Sequence, residues 1–225
     1  MYTIYGKLGV GAFGVVLECM NKLTNEIVAL KIISKETSKQ MFRIGPETTE
    51  QQVIQDLEHG NIIEFYRILS SIDHVFIEME KVNGGTLESF IRKRKVLAAA
   101  KADMLTAKVG ESTESSLVSR MREPVVDEET ASSITRDILK GVSQIHKKNY
   151  IHRDLKPENI LMHEEKSGQW LAKIADFGLT AEILSMSDNK INSVTGTILY
   201  MAPEQACGSR YGKRVDMFAI GIIVY

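Results

Sequence analysis

His152-Arg153-Asp154-Leu155-Lys156-Pro157-Glu158-Asn159 leads, through an apolar pair and a polar turn from His163 to Gln169, into Lys173-Ile174-Ala175-Asp176-Phe177-Gly178. Two carboxylates, a lysine and an amide thus stand at fixed offsets on what should be a loop followed by a short hairpin. Each of these residue types taken alone is a common turn-former or cap. As an ordered set they suit the gripping of metal-bound phosphate. Phosphoryl transfer leaves a protein little covalent work, so catalysis is mostly positioning and neutralisation of charge around an in-line displacement. Asp154 would accept or orient the proton of an attacking hydroxyl, and Asn159 and Asp176 would offer hard oxygen ligands to magnesium. Lys156 would place positive charge on the migrating group.

The segment resembles the catalytic loop and magnesium-binding DFG element of eukaryotic protein kinases, over an unbroken run and at the family's spacing. Lys156, in place of the arginine-bearing variant of tyrosine kinases, favours the serine/threonine type. Among its subfamilies a calcium/calmodulin-dependent-kinase-like one is a candidate. The resemblance implies an α+β, two-lobed fold. A small antiparallel β-sheet lobe with one helix would occupy residues 1–80, a hinge 81–86, and a mainly helical large lobe 87–225. ATP and Mg2+ are the cofactors it implies, with a protein Ser/Thr hydroxyl as acceptor.

Composition agrees with a globular protein of this size. The chain has 225 residues, 44% hydrophobic and 25% charged, with 28 basic against 29 acidic side chains. A net charge of -1 gives no pointer to nucleic acid or to an anionic membrane. Cys19 and Cys207 form no CxxC and no cluster with histidine, which argues against a disulfide framework or a structural zinc site. No apolar run reaches the roughly 18 residues of a membrane span. Leu8 to Leu17 lacks the basic leader and cleavage pattern of a signal peptide. An intracellular, cytoplasmic protein is therefore expected, with a nuclear address as the alternative.

From Tyr2 to Ile33 the β-formers cluster as three short antiparallel strands with a turn at Asn25-Glu26. The first turn holds Gly9, Val10, Gly11, Ala12, Phe13 and Gly14, ahead of Val16. In a dinucleotide-binding fold this glycine pattern would open a helix, whereas here β-branched residues follow. Strand-turn-strand matches the kinase glycine-rich loop, whose backbone N–H groups approach the ATP phosphates. Val28-Ala29-Leu30-Lys31 resembles the family's lysine-bearing strand, and a lysine there needs a partner. The next helix, read from about Thr48 to Leu57, offers Glu47 and Glu50, of which Glu50 has the family spacing ahead of His59.

By resemblance, Glu80 and Val82 offer hinge backbone to the adenine edge. Met79 guards the back pocket, and Val16, Ala29 and Leu161 are apolar plates around the base. A helix from Thr86 is expected to end at the basic run Arg92-Lys93-Arg94-Lys95, a solvated terminus or a nuclear-localisation patch. Residues 96–126 then read as an insertion of about 25 residues, with a short helix at Ala98 to Lys108 and a disordered stretch at Gly110 to Ser119. Asp127-Glu128-Glu129 starts a core helix carrying Ala131, Ile134, Ile138, Leu139, Val142 and Ile145. His152 with Ile54, Phe65, Phe177 and Asp216 matches the family's regulatory column.

The segment from Leu179 to Glu204 resembles an activation segment closing on Ala-Pro-Glu, with Thr197 bridging the catalytic aspartate and lysine. Arg153 beside Asp154 implies control by an upstream activating kinase, with Ser193 the best phosphorylation candidate and Thr195 the second. Ala181 and Pro46 stand where relatives often add basic residues, so the effect of phosphorylation should be modest. Glu158 stands beside the catalytic groups and is a candidate contact for nucleotide or substrate. The chain stops inside the family's central large-lobe helix, Tyr211 to Tyr225, with Phe218 for the usual tryptophan. A large lobe lacking its last helices, with core surface exposed, is the expectation. The alternative reading is a truncated, catalytically idle ATP-binding regulatory module acting through protein contacts; nothing here fixes an oligomeric state.

Overall fold

The computed structural model describes residues 1–11, 14–36, 50–108, 125–183, 191 and 193–225, without the side chains of 50–52 and 101–108. Strands β1 (Tyr2–Gly11), β2 (Gly14–Asn21), β3 (Ile27–Ser34), β4 (Phe65–Ser70) and β5 (His74–Glu80) form one antiparallel sheet in the order β1-β2-β3-β5-β4. Its pairing register places Val16 and Ile77 opposite Lys31, and Met79 opposite Ala29. Because side chains alternate along a strand, these five residues share one face. Cys19, Val28 and Leu30 form a separate buried cluster on the other face.

Gly14 shows why the first hairpin is written in glycine. At φ 159° a Cβ there would lie 1.9 Å from the Ile32 carbonyl oxygen, so no side chain fits. Helix α1 (Glu50–Asp56) follows, within the expected bounds. The connection after it is stitched to the other lobe, since Ile63 N–H donates to Ile174 O and Ile174 N–H to Asn61 O, both at 2.9 Å.

Helix α2 (Leu87–Lys108) corrects the sequence reading. It does not end at Lys95 but runs on without a break, so the basic run lies inside it and residues 96–108 are helix. No glycine or proline interrupts this stretch, and its alanines favour helix more than any other residue. The supposed disordered stretch at 110–119 lies outside the described residues.

Helix α3 (Glu128–Lys147) starts as expected, with the Asp127 carboxylate accepting from Thr130 N at 2.7 Å. Ile134, Ile138, Val142 and Ile145 are buried, whereas Leu139 falls off that face and is exposed. Asp137 takes a buried position instead, its carboxylate accepting from Ala172 N. The chain then passes through β6 (Tyr150–Ile151), a single 3-10 turn (Pro157–Asn159) and the hairpin β7 (Ile160–Glu164) and β8 (Trp170–Ile174). Strand β9 (Ala181–Glu182) pairs with β6, and α4 (Pro203–Ala206) and α5 (Arg214–Val224) close the described structure. Met217, Phe218, Ile222 and Val224 of α5 are exposed. Among the described residues no helix is long and apolar enough to cross a membrane.

Candidate active site

The loop between β6 and β7 brings the polar groups together through local constraints. Arg153 and Asp176 both sit in the left-handed region, at φ 69° and 62°, a conformation that non-glycine residues hold only where surroundings fix it. Those surroundings are visible. The buried Asp216 carboxylate accepts from His152 N at 3.0 Å, Arg153 N at 2.9 Å and His146 Nε2 at 2.7 Å. His152 is fully buried, and one ring nitrogen lies 3.2 Å from the Ala175 carbonyl.

On this frame Thr197 Oγ1 donates to Asp154 Oδ1 at 2.7 Å and accepts from Lys156 Nζ at 2.7 Å. Lys156 also pairs with Asp154 Oδ2 at 2.9 Å. Asn159 spends its side-chain N–H groups on Asp154, reaching the backbone oxygen at 2.8 Å and Oδ2 at 3.0 Å. The amide oxygen of Asn159 is thereby the atom left for a cation. Facing this group, Lys31 Nζ makes an ion pair with Asp176 Oδ1 at 2.8 Å while only 7% exposed. Burial pushes the Asp176 carboxyl up, but the Lys31 charge and hydrogen bond, with His152 and the Gly178 N–H, hold it below the ordinary carboxylate range. A Cβ built on Gly11 would stand 4.0 Å from Asp176 Oδ2, so the end of β1 lies close to this carboxylate.

The structure thus gathers Lys31, Asp154, Lys156, Asn159, Asp176 and Thr197, with Val16, Ala29 and Met79 on the sheet face. Leu161 lies on β7, and Glu158 is exposed beside the loop. Gly9, Val10 and Gly11 end β1, whereas Ala12 and Phe13 lie outside the described residues, as does the Glu50 side chain. Glu80 ends β5, and its carboxylate accepts from Lys173 Nζ at 2.5 Å and Glu64 N at 2.8 Å. The regulatory column is assembled: Phe177 packs edge-on to Phe65 at 5.9 Å and to His152 at 5.3 Å, with Ile54 in the same core cluster.

Around the activation segment, the Ser193 hydroxyl accepts from Arg153 Nη1 at 2.9 Å and meets the Tyr211 phenol at 3.2 Å. Gln205 Nε2 donates to the Arg153 carbonyl at 3.2 Å and to the Thr195 carbonyl. Sequence reasoning missed Gln205, Tyr211 and the tie from His146 to Asp216. All three act through backbone atoms or other side chains far away in sequence, and no spacing rule announces such partners.

Fold and site together define a protein kinase domain, and the chain belongs to that family, whose model matches residues 2–225. It is 32% identical over 224 residues to the serine/threonine-protein kinase DCLK3 of Mus musculus, covering 100% of this chain and 24% of that protein. A probable myosin light chain kinase of Dictyostelium discoideum is 33% identical over 224 residues, with 100% of this chain and 55% of the relative covered. The probable serine/threonine-protein kinase fhkD of the same organism is 33% identical over 238 residues, with 100% and 28% covered. The chain therefore spans between about a quarter and about half the length of these relatives.

Proposed function

We propose that this domain transfers the γ-phosphoryl group of magnesium-bound ATP to a serine or threonine hydroxyl of a protein. The observation that carries the reading is the closed set of hydrogen bonds joining Asp154, Thr197, Lys156 and Asn159. Asp154 is aimed for a single task, accepting or orienting the proton of an incoming hydroxyl. Thr197 fixes its second oxygen, so the carboxylate cannot rotate away from the acceptor. Lys156 sets positive charge beside the transferring group, and Lys31, with Glu50 as its further partner, holds the α- and β-phosphates.

Asn159 Oδ1 and the ionised Asp176 suit magnesium, which is bound through one or two protein oxygens alongside phosphates and water. When bound, the metal neutralises charge on the β- and γ-phosphate oxygens. Backbone groups of Glu80 and Val82 would take the adenine edge and Met79 would close the pocket behind it. Val16, Ala29 and Leu161 would enclose the base, and the backbone from Gly9 through Ala12 and Phe13 to Gly14 would lie over the phosphates. Glu158, exposed beside Lys156, is placed to meet nucleotide or substrate. Ser193, with Thr195 second, is the site for an upstream kinase.

The test is Asp154→Asn, assayed for transfer from Mg-ATP to a degenerate serine/threonine peptide pool. A loss of about 10²- to 10⁴-fold is expected, with the thermal shift by Mg-ATP retained. A loss of less than about tenfold would overturn the assignment of the base.

A further inference from the structure

Helix α1 carries Glu50 at its first residue, and its other end is fastened to the large lobe by a contact that no part of the chemistry above uses. Tyr150, in β6 just ahead of the catalytic loop, is 4% exposed and donates its phenol proton to Asp56 Oδ2 at 2.6 Å. Asp56 is the last residue of α1 and its side chain reaches out of the small lobe to make this bond. Tyr150 is held in turn, because β6 pairs with β9 through Tyr150 and Glu182. Burial and the Asp56 carboxylate both push the Tyr150 phenol well above its ordinary range, so it stays a donor at any physiological pH.

We propose that Tyr150 is a positioning residue for phosphoryl transfer, fixing the angle of α1 through Asp56 so that Glu50 reaches Lys31. This rests on the reading of Lys31 and Glu50 given above. The backbone bonds of Asn61, Ile62 and Ile63 to β8 anchor only the connection after the helix. Val53 and Ile54 seat one face of the helix in the core, and a helix seated by apolar packing alone can still slide and tilt on that seat. Glu50 lies about 9 Å along the axis from Asp56 at the standard rise, so a swing of about 15° moves it by about 2 Å. Displacements of that size break an ion pair, and misplacement by about 1 Å at a catalytic group is enough to cost about 10²-fold. The phenol-carboxylate bond is charge-assisted and short, which gives the tether the stiffness this role needs.

Tyr150→Phe removes the donor and leaves the ring in its packing; Asp56→Ala removes the acceptor at an exposed position, so the core is untouched. Each is expected to lower kcat/KM for the peptide pool about tenfold, and the double variant to lose no more than either alone. Asp56→Asn keeps a side-chain oxygen and should retain activity to within about threefold. In a Glu50→Gln background, Tyr150→Phe should add almost nothing, a non-additivity that mere loss of stability would not produce. Full activity in Tyr150→Phe, or losses that multiply in the double variant, would overturn the tether. Asp154→Asn run beside them separates the two readings. If it is inactive while Tyr150→Phe is fully active, only the tether fails; if it too is active, phosphoryl transfer by this site fails.

Discussion

At the scale of single residues, Arg153 links the catalytic loop to the segment that follows it. Its Nε donates to the Leu179 carbonyl at 2.5 Å and its Nη1 to Ser193 at 2.9 Å, so the guanidinium ties the start of the activation segment and Ser193 within it to the catalytic loop. The other group on the Ser193 hydroxyl is the Tyr211 phenol, which also donates to the Ser193 carbonyl at 2.7 Å. A phosphate at Ser193 would therefore gain bonds chiefly from Arg153, and one partly exposed pair adds about 1 kcal/mol or less. Ser193→Ala is expected to keep activity within about fivefold of the phosphorylated protein. Peptide phosphorylation measured before and after phosphatase treatment checks this, and near-complete loss would mean a better-furnished phosphate pocket. The candidate site residues Asp154, Lys156, Asn159 and Asp176 could be picked out in the sequence because they stand in one short stretch, and the fold brings them together. Tyr211 could not be, since its partner is made by folding alone.

Among the elements, the strands and α3 could be read from spacing, but the end of α2 could not. Local charge suggested a terminus at Lys95, whereas a helix ends where its backbone propensity fails, and nothing from Leu87 to Lys108 makes it fail. The Arg94 guanidinium lies 4.4 Å from the centre of the Phe90 ring, which gives the basic run a role within the helix. Helix α3 poses the converse problem at Gly141, where an alanine should by propensity stabilise the helix by about 1 kcal/mol. There a Cβ would stand 2.7 Å from the Asn61 carbonyl oxygen and 2.8 Å from Ile174 Cδ1. The first obstacle is backbone, already bonded to β8, and cannot move aside without shifting the strand that ends beside Asp176. Gly141→Ala is therefore expected to destabilise by about 1–3 kcal/mol, as overpacking does. Thermal melting decides it, and a raised midpoint would show that α3 does not pack so closely on this connection.

For the molecule as a whole, the two lobes are not two cores joined by a hinge. One buried cluster runs from Ala29 and Ile77 of the sheet through Ile54, Ile62 and Phe177 to Ile138, Ile174 and Ala219. The column of Phe65, Phe177 and His152 crosses the cleft inside it, and its foot is Asp216, 1% exposed at the start of α5. That carboxylate has three donors, two of them backbone N–H groups of the catalytic loop, and so joins α3, α5 and that loop. Asp216→Asn keeps the shape but removes the charge and one acceptor oxygen, so an amide N–H must face one of those donors. Leaving a buried donor unmet at a formerly charged site costs about 3 kcal/mol. For a chain of this length that lowers the melting midpoint by about 10 °C. Because the released donor belongs to His152 or Arg153, the loss is also expected at Asp154, with kcat down more than about tenfold at 25 °C, where the protein is still folded. A melt and a peptide-phosphorylation assay on the same preparation test both halves. Loss of activity with an unchanged midpoint would make Asp216 a local clamp on the loop. An unchanged midpoint with full activity would mean that the catalytic loop holds its left-handed turn without it.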